Sequence, residues 1–405
     1  MLRRGGGAAD GCDSAENSHR SSSLLDIVAQ RSKKAKASGA LHTIRSNEHI
    51  LLEESTGIEH SIRVKKASET TERPQAFSST IIQKDPFLPP YEEDLHILWP
   101  PLCPPGLTQG SYALLLNKFN VMDNHVLIVT TSFRPQVECP SAKDMTVLWR
   151  VVCELQGLGF YNCGKQAGPS QPHKHLQVVP YPQSERTPIV PFHKPIMQAA
   201  VAALSSKSSS SSTGATVNDD IEKAARNCVV ADDEAHTRPF TVPQFKFKHS
   251  CCLLPWSISR ATDWAALDAD EEAENSYQDG KRLSALYYKL AAVLGLKLHK
   301  HRPTHLQHLP PDEADGEKRE EEKGQSAVHK EKDMVKLEDI SDPHNVLITK
   351  DWMLVVPRQQ EEWEGISANG LNFSGSWYLK QPAQLELLKE MGAMNVLSRF
   401  AYQVS

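Results

Sequence analysis

The sequence predicts an α+β protein in which helices flank an antiparallel sheet, with surface insertions. Three observations support this prediction. Residues 113–116 and 125–131 are two short apolar runs, the second rich in β-branched side chains, as expected of paired strands. Apolar residues recur at helical spacing after Ser141. Two further apolar runs, 345–349 and 352–356, are separated by a short polar turn, which is typical of a hairpin.

The composition limits the classes of protein that fit the chain. With 405 residues, the chain is long enough for one large core or for two domains. Its net charge of −5 argues against a nucleic-acid or membrane partner, and no apolar run reaches the length of a membrane span. The eight cysteines are scattered without paired metal-ligand spacing, which indicates reduced intracellular thiols.

The first residues are predicted to form a disordered tail. Residues 1–22 are rich in glycine and serine, a composition that buries too little apolar surface to fold. They contain no apolar stretch of the kind that a secretory signal needs, and the early acidic residues Asp10, Asp13 and Glu16 argue against a transit peptide. The expected location is therefore the cytoplasm.

Two parts of the chain, separated by an insertion, are expected to share one sheet. We expect an N-terminal catalytic part over 23–200, a low-complexity insertion over 201–239, and a C-terminal part over 240–405. Within the last part, the His-rich and then highly charged stretch 299–338 is expected to be a second insertion. Its histidines, His299, His301, His305 and His308, lie in a polar, proline-interrupted segment, which argues against a specific metal site.

Individual elements follow from local patterns. Ser141 is expected to cap a helix with Asp144 three residues on, and Gly157 and Gly159 are expected to end that helix. Other expected elements are a helix over 24–36, strands or a hairpin over 40–64, an extended proline-rich segment over 85–95, strand character over 240–256, a helix over 280–298 and a last amphipathic helix over 382–402.

The most informative stretch is 162–180, NCGKQAGPSQPHKHLQVVP. His173, His175 and Gln177 are spaced two residues apart, so an extended backbone directs all three to one face of a strand. The preceding turn, which includes Gly168, is rich in small residues and exposes backbone N–H groups that suit phosphate oxygens. An imidazole pair beside such a turn indicates chemistry on phosphorus or on an acyl centre.

Two other interpretations fit the same spacing. Two histidines that flank one residue are also a common metal-binding pattern, because neutral imidazole is the commonest nitrogen ligand. Polar and apolar residues also alternate in any strand that is half buried against a core. The spacing alone leaves these alternatives open.

The stretch resembles a known family. Residues 162–177 fit the signature N-x-G-x-x-A-G-x-S-Q-x-H-K-H-L-Q of the diadenosine tetraphosphate phosphorylases, or ATP adenylyltransferases, in the transferase branch of the histidine triad superfamily. A second block, 343–380, is similar to the family pattern Y-N-x-L-x-T-x-x-W-x-x-x-V-P-R…G-x-S-x-N-G-x-x-F-x-G-x…K, although His344 stands where an aromatic residue is usual. The resemblance implies a histidine-triad-like sheet or half-barrel, similar to galactose-1-phosphate uridylyltransferase.

The resemblance also implies residue roles. His175 would be the nucleophile that attacks the α-phosphorus, His173 would support it, and Gln177 would donate a hydrogen bond to a phosphate oxygen. The remaining positions that match nucleotide-binding residues of the family are Asn117, Lys118, Asn162, Gly168, Ser170, Gln171, Asn369, Gly370, Leu371, Ser376 and Lys380. The family's lysine in a Lys-Pro pair has no exact counterpart; Arg73 stands at the nearest such pair, and Lys65 or Lys66 are the alternatives.

The implied activity is phosphorolysis of diadenosine tetraphosphate to ATP and ADP through an adenylyl-histidine. Small-molecule nucleotides and phosphate are the expected partners, and a divalent cation, Mg²⁺ above all, is expected with the polyphosphate. Two alternatives are uridylyl transfer to a hexose 1-phosphate and nucleotide binding without catalysis. The uridylyl-transfer family has proline where this chain has Lys174. The oligomeric state stays open, and a monomer is compatible with a chain that holds both blocks.

Overall fold

An eight-stranded antiparallel sheet forms the centre of the molecule. The computed structural model describes residues 23–69, 85–98, 111–182, 186, 188–205, 237–255, 269–299 and 341–404. Its strands are β1 Ser46–Glu53, β2 Ile58–Lys65, β3 His96–Ile97, β4 Tyr112–Leu116, β5 Val126–Thr130, β6 Gly157–Cys163, β7 His175–Pro180, β8 Ser250–Leu253, β9 His344–Ile348, β10 Trp352–Pro357, β11 Glu362–Trp363, β12 Ile366–Ser367 and β13 Ser376–Leu379.

Strands from both parts of the chain are interleaved in this sheet. The order is β3-β4-β5-β7-β6-β9-β10-β8, so β6 of the N-terminal part pairs directly with β9 of the C-terminal part. A second, three-stranded sheet has the order β1-β2-β13, in which β13 runs parallel to β2. The two parts of the chain therefore share one hydrogen-bonded framework in both sheets.

Helices cover the two faces of the large sheet. They are α1 Leu24–Ser38, α2 Ala142–Leu155, α3 His193–Ser205, α4 Ala269–Val293, α5 Pro382–Met391 and α6 Ala393–Phe400. The apolar cluster on one face joins α1, α2 and α4 to the sheet. The cluster on the other face joins α3, α5, α6 and the three-stranded sheet. The result is a layered α+β arrangement, as the sequence predicts.

The helix predicted after Ser141 is confirmed, but its end is not where we expected it. The Ser141 hydroxyl accepts from the backbone of Asp144 and the Asp144 carboxylate accepts from the backbone of Ser141, a complete capping box. The helix ends at Gln156, which adopts a left-handed conformation. Gly157 and Gly159 therefore do not terminate the helix; they lie inside β6.

Gly157 and Gly159 are needed in β6 because neighbouring segments pack too closely against it for a side chain to fit. A methyl group on Gly159 would lie 2.6 Å from a Val152 methyl of α2 and 3.0 Å from Ile348 of β9, and one on Gly157 would collide with the backbone of Val179. Helix α2 can therefore pack against this strand because the side chains are missing. Pairs of glycines after a helical pattern commonly mark a stop, which is why the sequence pattern was misleading here.

Other expected elements are confirmed or corrected. Strands β1 and β2 form the hairpin expected over 40–64, and β9 with β10 form the hairpin expected in the second block. The last helix is two helices, because Gly392 has a positive φ of 83° and separates α5 from α6. The segment 85–95 forms turns and is not extended, the strand within 240–256 is limited to β8, and α4 begins before residue 280 and ends at Val293.

Several expectations fall on parts of the chain outside the described residues. These are the tail 1–22, almost all of the two insertions, and Arg73. Among the helices that are described, none combines the length and the apolar character that a membrane crossing requires.

A buried ion pair fastens β7 to α2. The Lys174 ammonium donates to a carboxylate oxygen of Asp144 at 2.7 Å and to the Cys139 carbonyl at 3.2 Å, and neither charged side chain is exposed. Asp144 also accepts from the Tyr112 hydroxyl at 2.7 Å. The neighbouring cations Lys174 and Arg134 hold the pKa of Asp144 well below its ordinary value, although burial opposes them.

Replacement of Asp144 with asparagine tests this anchor. The change leaves the Lys174 charge buried without its counter-charge, which typically costs roughly 3–5 kcal/mol. We expect the free energy of unfolding, measured by urea denaturation, to fall by about that amount. The matched control is Asp123→Asn, which breaks an exposed pair with Lys36 and should change stability little. Equal losses in the two variants would contradict the assignment.

Candidate active site

Strand β7 directs the candidate catalytic side chains away from the helical layer. Leu176 and Val178 belong to the core cluster under α2, and Lys174 reaches Asp144 of the same helix. His175 and Gln177 face the other side of the sheet, beside Val129 and Leu127 of β5 respectively. The two-residue alternation predicted from the sequence is confirmed. His173 precedes the strand and makes an isolated bridge with Pro135.

His175 has the geometry of a neutral imidazole with a free lone pair. Its Nδ1–H donates to the carbonyl of His173 at 2.9 Å, so the lone pair lies on Nε2. Nε2 is buried and has no hydrogen-bond partner among the described residues. Burial lowers the pKa of His175 to about 4, the backbone bond to His173 opposes this, and the His173 ring contributes to the lowering. The ring is therefore uncharged near neutral pH.

Two other histidines show what such a ring looks like when its role is structural. His249 and His344 each donate Nδ1–H to the carbonyl two residues earlier, at 2.7 and 2.6 Å. Burial lowers the pKa of each to about 4, as in His175. However, Nε2 of His249 accepts a hydrogen bond from the Val242 backbone, and Nε2 of His344 is hydrogen-bonded to the Tyr287 hydroxyl. Of these three rings, only His175 keeps an unused Nε2.

The other interactions of His173 come from two segments. Its Nδ1 lies 2.7 Å from a carboxylate oxygen of Asp85, and its Nε2 lies 2.8 Å from the Thr130 hydroxyl. The exposed ring of Phe133 contacts it edge-on at 5.4 Å. Neither Asp85 nor Thr130 was expected at the site, because no spacing in the sequence relates them to the histidine pair.

The aromatic ring of Phe87 packs against both histidines of the motif. Its centroid lies 5.0 Å from that of His175 and 5.9 Å from that of His173. His175 has no solvent exposure in this arrangement. A ligand can therefore reach Nε2 only after a rearrangement, and we expect Phe87 to be the side chain that moves.

A chain of hydrogen bonds orients Gln177. The Asn117 amide donates to Nδ1 of His125 at 3.1 Å, and Nε2–H of His125 donates to the carbonyl oxygen of Gln177 at 3.0 Å. With its oxygen occupied in this way, the Gln177 carboxamide presents its NH₂ group elsewhere. Asn117 thus contacts the site through His125, the first residue of the predicted strand 125–131 and a residue to which the sequence assigns no role.

Gln136 joins the two central strands of the site. Its carboxamide oxygen accepts from the backbone N–H of His175 at 2.7 Å, and its NH₂ donates to the carbonyls of Asn162 and His175 at 2.9 and 3.2 Å. The residue is buried. Gln136 lies in an irregular segment, where no periodic pattern marks it, and sequence reasoning missed it.

Asn162 is the point at which the two parts of the chain meet. The pairing of β6 with β7 ends two residues before Asn162, and strand alternation beyond the last pair puts Asn162 on the same face as His175, with the Gln136 side chain bonded to both strands. Its carboxamide oxygen accepts from the Asn345 amide and from the Gly370 backbone, both at 2.9 Å. Its Nδ2 is buried and has no hydrogen-bond partner among the described residues. An unused donor and an unused lone pair therefore lie on the same face of two neighbouring strands.

A buried arginine holds the turns on both sides of this contact. Arg358 donates to the Asn345 side chain at 2.6 Å, to the Ala368 carbonyl at 2.9 Å and to the Ala167 carbonyl at 3.2 Å. Burial lowers its pKa to about 9. Gly168 has a φ of 76°, and a side chain there would collide with the Ala368 backbone. The glycine-rich turn is thereby fixed against the second block.

The second block supplies backbone and turn structure at the site. The Asn369 side chain accepts from the Leu371 backbone at 2.9 Å and caps the 3-10 helix Gly370–Ser374. A side chain on Gly370 would lie 2.9 Å from the Asn162 oxygen, so only glycine allows this approach. Leu371 is half-buried against the neighbouring apolar cluster.

Two other predicted binding residues lie on or directly after β13. Ser376 is buried on β13, where the Ser374 hydroxyl donates to it at 3.2 Å. Lys380 is exposed and directly follows that strand. Burial raises the pKa of the Glu361 carboxyl, and the positive charges of Lys165 and Lys380 both oppose this rise. The structure thus relates Lys380 to the glycine-rich turn, which carries Lys165, and its predicted contact with polyphosphate stays a prediction.

The remaining candidates are accessible from solvent. Ser170 is exposed and Gln171 half-buried, and within the described part of the chain neither side chain has a hydrogen-bond partner. Lys118 forms a 2.7 Å ion pair with Glu92, in which both side chains are exposed. Lys65 is half-buried at the end of β2, and Lys66 is exposed. The binding roles of these residues stay predictions.

The donor set does not include a metal cage. Over the residues that the structure describes, no three histidine, cysteine, aspartate or glutamate side chains are grouped to hold an ion. At the site itself, His175 donates Nδ1–H to a carbonyl, and His173 contacts Asp85 and Thr130 through its two nitrogens.

Two family models match the chain in succession. The model of the Ap4A phosphorylase N-terminal domain matches residues 14–198, and the model of the ATP adenylyltransferase C-terminal domain matches residues 243–403. These matches place the chain among the nucleotidyltransferases. More narrowly, the chain belongs to the Ap4A phosphorylase family, with an ATP adenylyltransferase domain as its C-terminal part.

Curated relatives match shorter stretches. Diadenosine 5',5'''-P1,P4-tetraphosphate phosphorylase 2 of Saccharomyces cerevisiae is 40% identical over 94 residues, which are 20% of this chain and 28% of that protein. Protein APA1 of the same yeast is 34% identical over 85 residues, which are 19% of this chain and 26% of that protein. The matched region therefore spans about a quarter of each relative.

Solved structures are similar over nearly the whole chain. The crystal structure of yeast Ap4A phosphorylase Apa2 in complex with AMP has a TM-score of 0.57 at 22% identity and covers 94% of this chain and 98% of that one. The Apa2 complex with Ap4A has a TM-score of 0.54 at 20% identity, with the same coverage. This likeness supports the α+β fold; a closer similarity to galactose-1-phosphate uridylyltransferase stays a prediction.

Replacement of Phe87 with alanine tests whether this ring closes the site. We expect diethyl pyrocarbonate to modify Nε2 of His175 several-fold faster in the variant, because the lone pair is unused and loses its cover. Peptide mass spectrometry after brief labelling measures the rate. His249 is the internal control, since its Nε2 stays bonded to Val242 and its modification should not change. An unchanged rate at His175 would show that Phe87 is not the barrier.

Proposed function

We propose that the protein cleaves diadenosine tetraphosphate with inorganic phosphate to ATP and ADP, through a covalent adenylyl group on His175. The observation that carries this proposal is the buried, uncharged His175 ring whose Nε2 lone pair is unused. Membership of the Ap4A phosphorylase family supports the choice of substrate.

The proposed reaction has two displacements at one phosphorus atom. Nε2 of His175 forms a bond to the phosphorus of the first AMP unit, and the P–O bond to the remaining triphosphate breaks, which releases ATP. The ring then carries a positive charge, and its Nδ1–H bond to the His173 carbonyl becomes charge-assisted. An oxygen of inorganic phosphate next bonds to the same phosphorus, the N–P bond breaks, its electron pair returns to Nε2, and ADP forms.

Neighbouring groups would stabilise the charge that develops on the phosphate oxygens. The unused NH₂ of Asn162 lies on the same face of the sheet as His175, and the NH₂ of Gln177 is left available by the bond of its oxygen to His125. The N–H groups of Gly164 and Gly168 already donate to the carbonyls of Gln136 and Lys165, so backbone contacts to the distal phosphates would come from other N–H groups of this turn. Ser170 and Gln171, without other partners in the described chain, would extend this cradle.

A carboxamide at position 177 suits transfer to phosphate. Gln177 can donate hydrogen bonds but cannot take a proton from an attacking water, so it gives hydrolysis little help. Phosphate already carries negative charge and needs no such base. A divalent cation, with Mg²⁺ as the expected ion, would arrive bound to the substrate's polyphosphate and screen its charges.

Product analysis and labelling test the proposed function. Incubation with diadenosine tetraphosphate and phosphate should yield ATP and ADP. With adenine-labelled substrate and no phosphate, the protein should acquire an acid-labile, alkali-stable label. We expect His175→Ala to abolish both results and His249→Ala, a change of an equally buried ring elsewhere, to retain the label. If labelling survives the loss of His175, the assigned nucleophile is wrong.

Replacement of Gln177 with histidine tests why this position is a carboxamide. An imidazole there can accept a proton from water, so we expect the ratio of AMP to ADP among the products to rise at fixed phosphate concentration. Chromatographic separation of nucleotides measures the ratio. The control is Gln359→His, at an amide that bonds to the Ala401 backbone away from β7. A ratio equal to that of the unmodified protein would contradict this role for Gln177.

A further inference from the structure

The Thr130 hydroxyl reveals the protonation state of His173. Its oxygen lies 2.9 Å from the Ser132 carbonyl and 2.8 Å from Nε2 of His173, yet it has a single hydrogen to donate. A carbonyl oxygen can only accept, so the hydroxyl hydrogen goes to Ser132. The hydroxyl oxygen must then accept a hydrogen from Nε2 of His173. The opposite assignment would leave two oxygens in contact with no hydrogen between them.

The second nitrogen of the same ring faces a carboxylate. Nδ1 of His173 lies 2.7 Å from Asp85, whose ionised oxygens accept and do not donate. Both ring nitrogens therefore carry hydrogen. The ring is fully buried, so a charge on it needs a fixed partner, and Asp85 supplies the opposite charge directly.

We propose that His173 is held as an imidazolium cation by Asp85 and Thr130, and that Asp85 is a positioning residue that gives the substrate's phosphates a fixed positive charge beside His175. This inference rests on the proposed function for its consequence in catalysis, but the charge state itself is a property of the free protein. Nothing in the sequence motif distinguishes a charged from a neutral ring at this position.

Within the described part of the chain, the His173 ring lies on the same side of the strand as His175, and Phe87 contacts both rings. Lys174 lies between the two histidines in sequence but points to the opposite face, where it pairs with Asp144. His175 itself is uncharged, and the aromatic rings of Phe87 and Phe133 add no charge. Burial is the main cause that lowers the pKa of His175; the His173 charge also lowers it, the more distant charge of Asp85 raises it, and the lone pair of His175 is preserved.

The Asp85 carboxylate connects the charge to the cover of the site. One of its oxygens contacts His173, and the other accepts the backbone N–H of Phe87 at 2.9 Å. Phe87 in turn lies over His175. The Asp85 carboxylate thus fixes both the His173 ring, whose charge would act on the substrate's phosphates, and the Phe87 side chain, which packs against His175.

Nuclear magnetic resonance of the free protein tests the charge state directly. With ¹⁵N-labelled histidine near neutral pH, we expect both ring nitrogens of His173 to show the shifts of an imidazolium, while His175 shows one bare nitrogen. Resonances are assigned by their loss in His173→Gln and His175→Gln. A neutral pattern for His173 in the unmodified protein would overturn the proposal, whether or not the protein turns over diadenosine tetraphosphate.

Variants of Asp85 test the consequence for catalysis. We expect Asp85→Asn to convert His173 to the neutral pattern and to lower kcat roughly 100-fold with a smaller change in KM, as for the loss of one preorganised charge contact. Asp85→Glu should keep the cation and restore much of kcat. Asp123→Asn, which removes an exposed carboxylate, should match the unmodified protein in both measurements. An Asp85→Asn protein with unchanged kcat would refute the positioning role.

Discussion

The ion pair between Lys174 and Asp144 is the constraint on which the site depends. Lys174 lies between His173 and His175 in sequence, and its ion pair holds one face of β7 against α2. Because alternate residues of a strand point in opposite directions, this attachment forces His175 and Gln177 to the other face. One buried ion pair thus determines both which face of β7 packs against α2 and which face carries His175 and Gln177.

Two buried polar atoms at the candidate site have no hydrogen-bond partner among the described residues: Nε2 of His175 and Nδ2 of Asn162. Most buried polar groups in proteins find a partner, and the comparison with His249 and His344 shows that this fold can satisfy such a ring. Unpartnered atoms also occur elsewhere in the interior, for example at Ser250, so the two atoms matter here because they lie on one face of neighbouring strands. In that position they keep their hydrogen-bonding capacity for a ligand.

Local patterns predicted what depends on local structure. The alternation in 173–178, the capping box at Ser141 and the hairpin of the second block all follow from periodicity and short-range chemistry, and the structure confirms them. The sequence could not reveal Asp85, Gln136 or Arg358, because their roles depend on contacts between segments far apart in the chain. The strand β6 was missed for a related reason: its glycines are explained by helix α2 and strand β9, not by their neighbours.

The meeting of Asn345 and Gly370 at the Asn162 carboxamide has a consequence for biosynthesis. A ribosome completes the nucleophile-bearing strand long before it makes the second block. Until that block arrives, the Asn162 side chain lacks the two donors that fix its orientation. A nascent chain would therefore carry the His175 imidazole before the Asn162 carboxamide is held in place. The site would become complete late, when β9 joins the sheet beside β6.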